Sequence, residues 1–255
     1  MRDIQLAIDE FKNYVDSNFN VSEKSINRKR SHSLRVMNFC KELSISLGMN
    51  DEEIYVAQII GLLHDIGRFD QWKTFENFKD LETYDHGDRA VELLKENNFI
   101  RKFIEDDSYD DIILTAIKNH NKYEIEPDLP EKTLKFCKII RDADKLDIFY
   151  EVDTCFYNEQ AKIDAVTDTK LCDEYYNSIL EGKQILKKKD ETRFDLVAVL
   201  ISFVFDINFD ESIAIIRKHD YMRNTLTKVH LSDPVEQEKF DKIKEIYYSY
   251  LETRG

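Results

Sequence analysis

The stretch Gly61-Leu62-Leu63-His64-Asp65-Ile66-Gly67-Arg68 decides how this chain is read. It closes an apolar run, and Ala57, Ile60 and Gly61 lie seven, four and three residues before His64, so a helix puts them on its face. A histidine and a carboxylate side by side at the end of a buried helix are costly unless something pairs with them. A metal ion is the natural partner, because imidazole nitrogen and carboxylate oxygen are both first-row metal ligands. A dipeptide alone is weak evidence. Its weight depends on what else arrives at the same place.

Outward from this stretch, each periodic segment reads as helix. Residues 2–17 carry Ile4, Ile8, Phe11 and Val15 on one stripe. A second helix is expected over 23–47, stopping near Gly48, and Asp51 is the expected N-cap of the helix leading to His64. Residues 69–84 show no clean period and are expected to form a loop over the site. Their aromatics (Phe69, Trp72, Phe75, Phe78, Tyr84) would close a hydrophobic lid or stack on a base. Further helices are expected over 86–97, 109–120, 131–149, 171–182, 192–206, 210–219 and 235–252, with Pro127 and Pro130 marking the break before 131. No stretch alternates with period two, and 255 residues contain only six glycines and three prolines. The expected fold class is all-α.

Composition excludes some functions. The 51 acidic residues outnumber the 37 basic ones, for a net charge of −14. That balance disfavours binding along a nucleic-acid polymer, which needs clustered Lys and Arg, but leaves room for a small phosphorylated ligand held by a few local cations. Cys40, Cys137, Cys155 and Cys172 form no CxxC pair and are expected to be reduced core thiols. The opening residues lack the apolar stretch of a signal peptide, and the longest apolar run, 196–205, is about half a membrane span. The expected protein is cytoplasmic and free of membrane.

The remaining histidines sharpen the site. His32 is followed by Val36, Phe39, Cys40 and Leu43 at +4, +7, +8 and +11; His86 by Ala90, Leu93 and Leu94 at +4, +7 and +8. His120 is preceded by Ile117, Ala116 and Ile113, and Asp144 by Ile140 and Cys137, at helical spacings. Five expected helices therefore aim four histidines and two aspartates inward. Six N/O donors suit two ions sharing a carboxylate better than one tetrahedral zinc. A second pair, His219-Asp220, has no such companions and reads as a helix end, and His230 reads as exposed.

His32, His64-Asp65 and Asp144 resemble the H…HD…D signature of the HD-domain superfamily of metal-dependent phosphohydrolases. The flanking text, His32-Ser-Leu-Arg-Val, LLHDIGRF and RDADKLD, is similar to the family's motifs, and His86 and His120 resemble the added ligands of binuclear members. The resemblance covers roughly residues 25–150, between an N-terminal helix in 1–24 and a helical C-terminal extension in 151–255 that would complete the pocket, form a dimer face or thicken the core. It implies an HD-domain helical bundle with His32, His64, Asp65, His86, His120 and Asp144 as metal ligands, and Asp65 as bridge. One or two divalent ions (Mn, Fe, Mg, Co, Ni or Zn) would activate water against a phosphate ester or anhydride. Arg68 and Lys145 are the expected catalytic cations, and with Asn121 and Lys122 the expected substrate contacts. The expected partner is a small phosphorylated substrate, a nucleotide first, and a homo-oligomer is compatible.

Departures narrow the class. No Gly-Tyr-Pro follows the His-Asp pair, as it would in a cyclic-di-GMP phosphodiesterase, and Arg68-Phe69 stands where alarmone hydrolases carry Glu-Asp. His120 is followed by Asn121 where some binuclear members have a second histidine. The alternatives are an HD-fold diiron oxygenase, which uses the same donors, and a non-catalytic nucleotide-sensing regulator, whose sign would be a missing ligand.

Overall fold

Every regular element among the described residues is helical. The computed structural model describes residues 3–156 and 160–254, and their side chains apart from 155, 156 and 160–162, so Cys155 lies outside the described side chains. The chain divides between Asp144 and Lys145 into two compact units. The first holds α1 (Ile4–Asn18), α2 (Lys24–Ser46), α3 (Asp51–Leu63), α4 (Ile66–Phe75), α5 (His86–Lys95) and α6 (Asp110–Asn119). Short 3-10 segments at Asp80–Glu82 and Glu96–Lys102 separate α4 from α5 and α5 from α6. The helix α7 (Glu131–Glu151) runs through the division and continues into a π-helical turn, Val152–Phe156.

In the first unit α3 is the central element: Tyr55 to Leu63 are all buried, so it shows no amphipathic stripe. Its contacts are with α1, α2 and α6. Its cap lies one residue before the expected one. Asn50 is the N-cap because its side chain accepts from the Glu53 N–H at 3.0 Å while the Glu53 carboxylate accepts from the Asn50 N–H at 3.3 Å. This reciprocal capping box satisfies two otherwise orphaned donors, which Asp51 could not do from its place inside the first turn.

The expected loop over 69–84 is corrected by the structure: its first half is helix α4. The apolar period is hidden because a polar residue, Gln71, occupies the buried face with Ile66, Gly67 and Phe69. Gln71 is satisfied there, donating to Thr83 Oγ1 at 2.6 Å and the Tyr84 carbonyl at 3.1 Å while accepting from Arg68 at 2.7 Å. Phe69 packs against Phe11 and Phe19, with ring centroids 5.9 and 5.5 Å away. The helix ends at Glu76 in the left-handed region, and only 76–85 is left as loop.

Two glycines of the opening stretch set helix spacing. A Cβ on Gly61 would lie 2.8 Å from Met37 Cα and 2.9 Å from Cys40 Sγ, so α3 meets the backbone of α2 directly. A Cβ on Gly67 would overlap the His86 carbonyl oxygen and lie 2.9 Å from the Ala90 nitrogen, so α4 meets α5 in the same way. Backbone cannot yield as a side-chain tip can. Gly67→Ala should therefore cost ~1–3 kcal/mol, the usual range for overpacking, seen as a fall of several degrees in Tm by circular dichroism. An unchanged Tm would show that α4 and α5 are not in backbone contact.

The second unit holds α8 (Gln160–Thr167), α9 (Asp173–Leu180), α10 (Arg193–Ser202), a 3-10 turn at Phe203–Asp206, α11 (Asp210–His219), α12 (Arg223–Lys228) and α13 (Pro234–Thr253). Its core is built on Tyr175, Phe194, Val197, Phe240, Ile243 and Tyr247. Thr192 and Asp195 form a capping box at the start of α10, and Asp233 caps α13 ahead of Pro234. Of these helices, α8 and α12, at 8 and 6 residues, lie outside the spans expected from periodicity. Pieces that short complete two turns at most. No helix among the described residues is long and apolar enough to cross a membrane.

Candidate metal centre

Each of the six expected donors comes from the first unit and sits where a helix begins, ends or turns its buried face inward. His32 lies on the buried face of α2; His64 caps the C-terminus of α3, and Asp65 is the joint to α4. His86 is the first residue of α5, His120 the C-cap of α6, and Asp144 belongs to α7. His32, His64, Asp65, His86 and His120 are buried, and the Asp144 carboxylate is partly exposed.

They meet as two pairs of nitrogens. His32 Nε2 and His64 Nε2 are 3.2 Å apart, and His86 Nε2 and His120 Nε2 are 2.9 Å apart. Asp144 Oδ1 faces the first pair, 3.1 Å from His32 and 3.6 Å from His64. Asp65 faces both. Its Oδ2 lies 3.4 and 3.7 Å from His32 and His64, and its Oδ1 lies 3.3 and 3.8 Å from His86 and His120.

The hydrogen-bond chemistry tests whether a metal fits. His64 Nδ1 lies 2.8 Å from the Gly61 carbonyl and His120 Nδ1 lies 2.6 Å from the Ile117 carbonyl; a carbonyl only accepts, so both ring nitrogens donate. His86 Nδ1 donates to Asp80 Oδ2 at 2.6 Å. Burial lowers the pKa of His64, and burial with the nearby Arg68 charge pushes His86 down to about 3. With the ring proton on Nδ1, a neutral imidazole presents Nε2 as a lone pair, and the Nε2 atoms of His86 and His120 stand 2.9 Å apart. A shared cation would satisfy two such lone pairs at once. Two nitrogens at right angles on one ion, with bonds of ~2.1 Å, stand about 3 Å apart. The donor set fits.

The carboxylates are ready to serve. Burial pushes the Asp65 carboxyl up, but the Lys29 ammonium, 2.8 Å from Oδ2, together with the imidazoles of His64, His120 and His86 outweighs it and holds the group well below the usual carboxylate range. Burial likewise raises Asp80, and the His86 hydrogen bond and the Arg68 charge reverse the shift and hold it ionised. The buried thiols are inert by contrast: burial pushes Cys40 far up and Cys137 up to about 12.

The expected cations and substrate contacts have partners of their own. Arg68 Nη1 donates to Gln71 Oε1 at 2.7 Å, to the Phe78 carbonyl and to Asp80 Oδ1 at 2.7 Å; its Nε is 3.6 Å from Asp65 Oδ1. Asn121 Nδ2 donates to Asp85 at 2.9 Å and Asp80 at 3.2 Å, and Lys122 pairs with Asp85 at 2.6 Å and Asp88 at 3.0 Å. Lys145 pairs with Asp206 at 2.6 Å within the second unit. His219 is exposed and stacks on Tyr221, 5.2 Å away, and Asp220 ends α11 in the left-handed region. His230 is exposed.

Three residues escaped the sequence reading. Lys29 had a signal, since it precedes His32 by three residues and shares its helical face. Arg141 had a weaker one, standing three residues before Asp144 on α7. Asp80 had none, because a loop residue has no period.

A helical unit that gathers six imidazole and carboxylate donors in its interior is an all-α domain whose buried cluster could hold a metal ion. The family model described as the HD domain matches residues 30–148. All six donors lie within that match, and their buried His/Asp cluster is compatible with an HD metal site; HD domains are generally those of metal-dependent hydrolases. No curated protein and no solved structure matches the chain significantly.

Proposed function

We propose that this protein is a binuclear metal-dependent phosphohydrolase acting on a small phosphorylated metabolite, with nucleotides the first class to test. One observation carries the reading: the two oxygens of Asp65 face two separate pairs of imidazole nitrogens. One ion position would use His32, His64, Asp144 and Asp65 Oδ2; the other would use His86, His120 and Asp65 Oδ1. Bound divalent ions supply Lewis acidity at phosphoryl oxygens and make water a better acid.

The residues of the chain do the rest. Asp65 holds both halves in register, and its negative charge is secured by Lys29. Lys29 Nζ also stands 5.6 Å from the centre of the Phe78 ring, at the edge of the donor cluster. With ions beside it, an ammonium there needs an anion to offset the charge, so Lys29 is the group that binds and orients a phosphoryl oxygen. Arg68, held by the Asp80 loop, adds a second positive charge 5.9 Å from the same ring. Buried walls keep bulk water from competing with the substrate.

The direct test is a screen of nucleoside mono-, di- and triphosphates and cyclic nucleotides with Mn²⁺, Fe²⁺, Mg²⁺, Co²⁺, Ni²⁺ and Zn²⁺, paired with elemental analysis. Phosphate release with some ion supports the reading. Oxygen consumption with a diiron signal and no phosphate release replaces it with the oxygenase. A charge-assisted hydrogen bond contributes about 1.5–3 kcal/mol, and each 1.36 kcal/mol is tenfold. Lys29→Met should therefore lower kcat/KM by ~10–100-fold, chiefly through KM, with metal content kept. An unchanged KM would remove Lys29 from substrate binding.

A further inference from the structure

Asp80 carries none of the expected metal donors, yet four side chains around the centre converge on it. Its Oδ2 accepts from His86 Nδ1 at 2.6 Å and from Asn121 Nδ2 at 3.2 Å. Its Oδ1 accepts from Arg68 Nη1 at 2.7 Å and from Gln71 Nε2 at 3.0 Å. The position of His86 in its helix explains why such a residue is needed. His64 and His120 each anchor Nδ1 on the carbonyl three residues earlier in their own chain segment, Gly61 and Ile117. His86 opens α5, so no preceding helical turn offers it a carbonyl. Its ring has to be held from outside the helix, and the 76–85 loop supplies Asp80 to do it.

Resting on the two-ion reading above, we propose that Asp80 is a positioning residue that sets the His86 ring and thereby the affinity of the ion position formed by His86, His120 and Asp65 Oδ1. A carboxylate on the far nitrogen of a ligating histidine fixes its tautomer, aims the lone pair and strengthens it as a donor. The two ion positions are then unequal by construction. The four hydrogen bonds to Asp80 described above come from His86, Asn121, Arg68 and Gln71, none of them a donor of the His32, His64 and Asp144 half. The His86 and His120 half depends on a loop that Arg68 and Gln71 of α4 hold in place, so the order of that loop and the filling of that position are one event.

The test is Mn²⁺ titration by calorimetry and equilibrium dialysis of the full chain, wild type against Asp80→Asn and Asp80→Glu. The wild type should bind two ions. Asp80→Asn should bind the first unchanged and the second ~10–100-fold more weakly, the usual effect of losing a partner behind a ligand. Asp80→Glu should recover much of the difference. The unchanged first ion reports that the fold is intact, and the low-field imidazole N–H resonance of His86 should vanish in Asp80→Asn alone. If Asp80→Asn does not fold, Gln71→Ala removes a support of Asp80 without touching His86 and should weaken the second ion several-fold. Two ions in the wild type with equal affinities in every variant overturn the proposal and leave the two-ion reading standing. Fewer than two ions in the wild type overturn both.

Discussion

Replacing Asp65 with alanine should strip the protein of metal and of hydrolysis together. Each Asp65 oxygen faces its own pair of imidazole nitrogens, so one truncation removes a donor from both halves. It also leaves the Lys29 ammonium, 2.8 Å from Oδ2 in the wild type, without that carboxylate, so its charge opposes the entry of any cation. Metal-ion catalysis contributes several kcal/mol at the transition state, so at 1.36 kcal/mol per tenfold the rate should fall by ~10³-fold or more. Elemental analysis of the purified variant should show no bound ion at either position. His219→Ala, which removes the exposed look-alike histidine, should leave metal and rate unchanged. Retained activity in Asp65→Ala would end the binuclear reading, and a fall in His219→Ala would mean that the wrong pair had been chosen.

The second large effect concerns stability. Arg141 is a fully buried arginine, 2% exposed, and its guanidinium donates to the Asn119, Lys122 and Tyr123 carbonyls. These carbonyls lie at the C-terminal end of α6 and just beyond it, where helical acceptors have no partner of their own, and a cation there also complements the helix dipole. Arg141→Met keeps much of the volume and removes the donors. Each charge-assisted bond contributes about 1.5–3 kcal/mol; with Lys122 and Tyr123 partly open to water, the net loss should be ~3–5 kcal/mol. That corresponds to a fall in Tm of roughly 10 °C. Because His120 directly follows Asn119, the same variant should bind metal less tightly even below its melting temperature. A Tm within a degree or two of wild type would show that the loop is held by other means.

Much of the site was legible because helices fix the direction of a side chain relative to its own axis. His32, His120 and Asp144 could be aimed inward from the apolar residues at three, four and seven positions, and all of them point to the cluster. The pair at 219–220 could be set aside by the same reasoning, having no companions. Where a local rule was outvoted, the reading failed. Gln71 is polar and buried, so α4 looked like loop; Asn50 outcompeted Asp51 as cap through its partner Glu53. The residues expected to contact substrate stand close to the donors in sequence. Arg68, Asn121 and Lys122 turn toward Asp80, Asp85 and Asp88, carboxylates whose place in the fold no period announces.

From its sequence alone the chain is all-α, and its six inward donors can be named. Which donor faces which was decided only by tertiary structure. A helical repeat says which side of an axis is buried, but not which axes cross or at what distance. Those crossings depend on contacts far apart in the chain, such as Gly61 on the backbone of α2 and Gly67 on that of α5. They bring His32 against His64 and His86 against His120, and they turn one oxygen of Asp65 to each pair. They also bring Lys29 against Asp65 and Asp80 against His86, two contacts that no helical period announces.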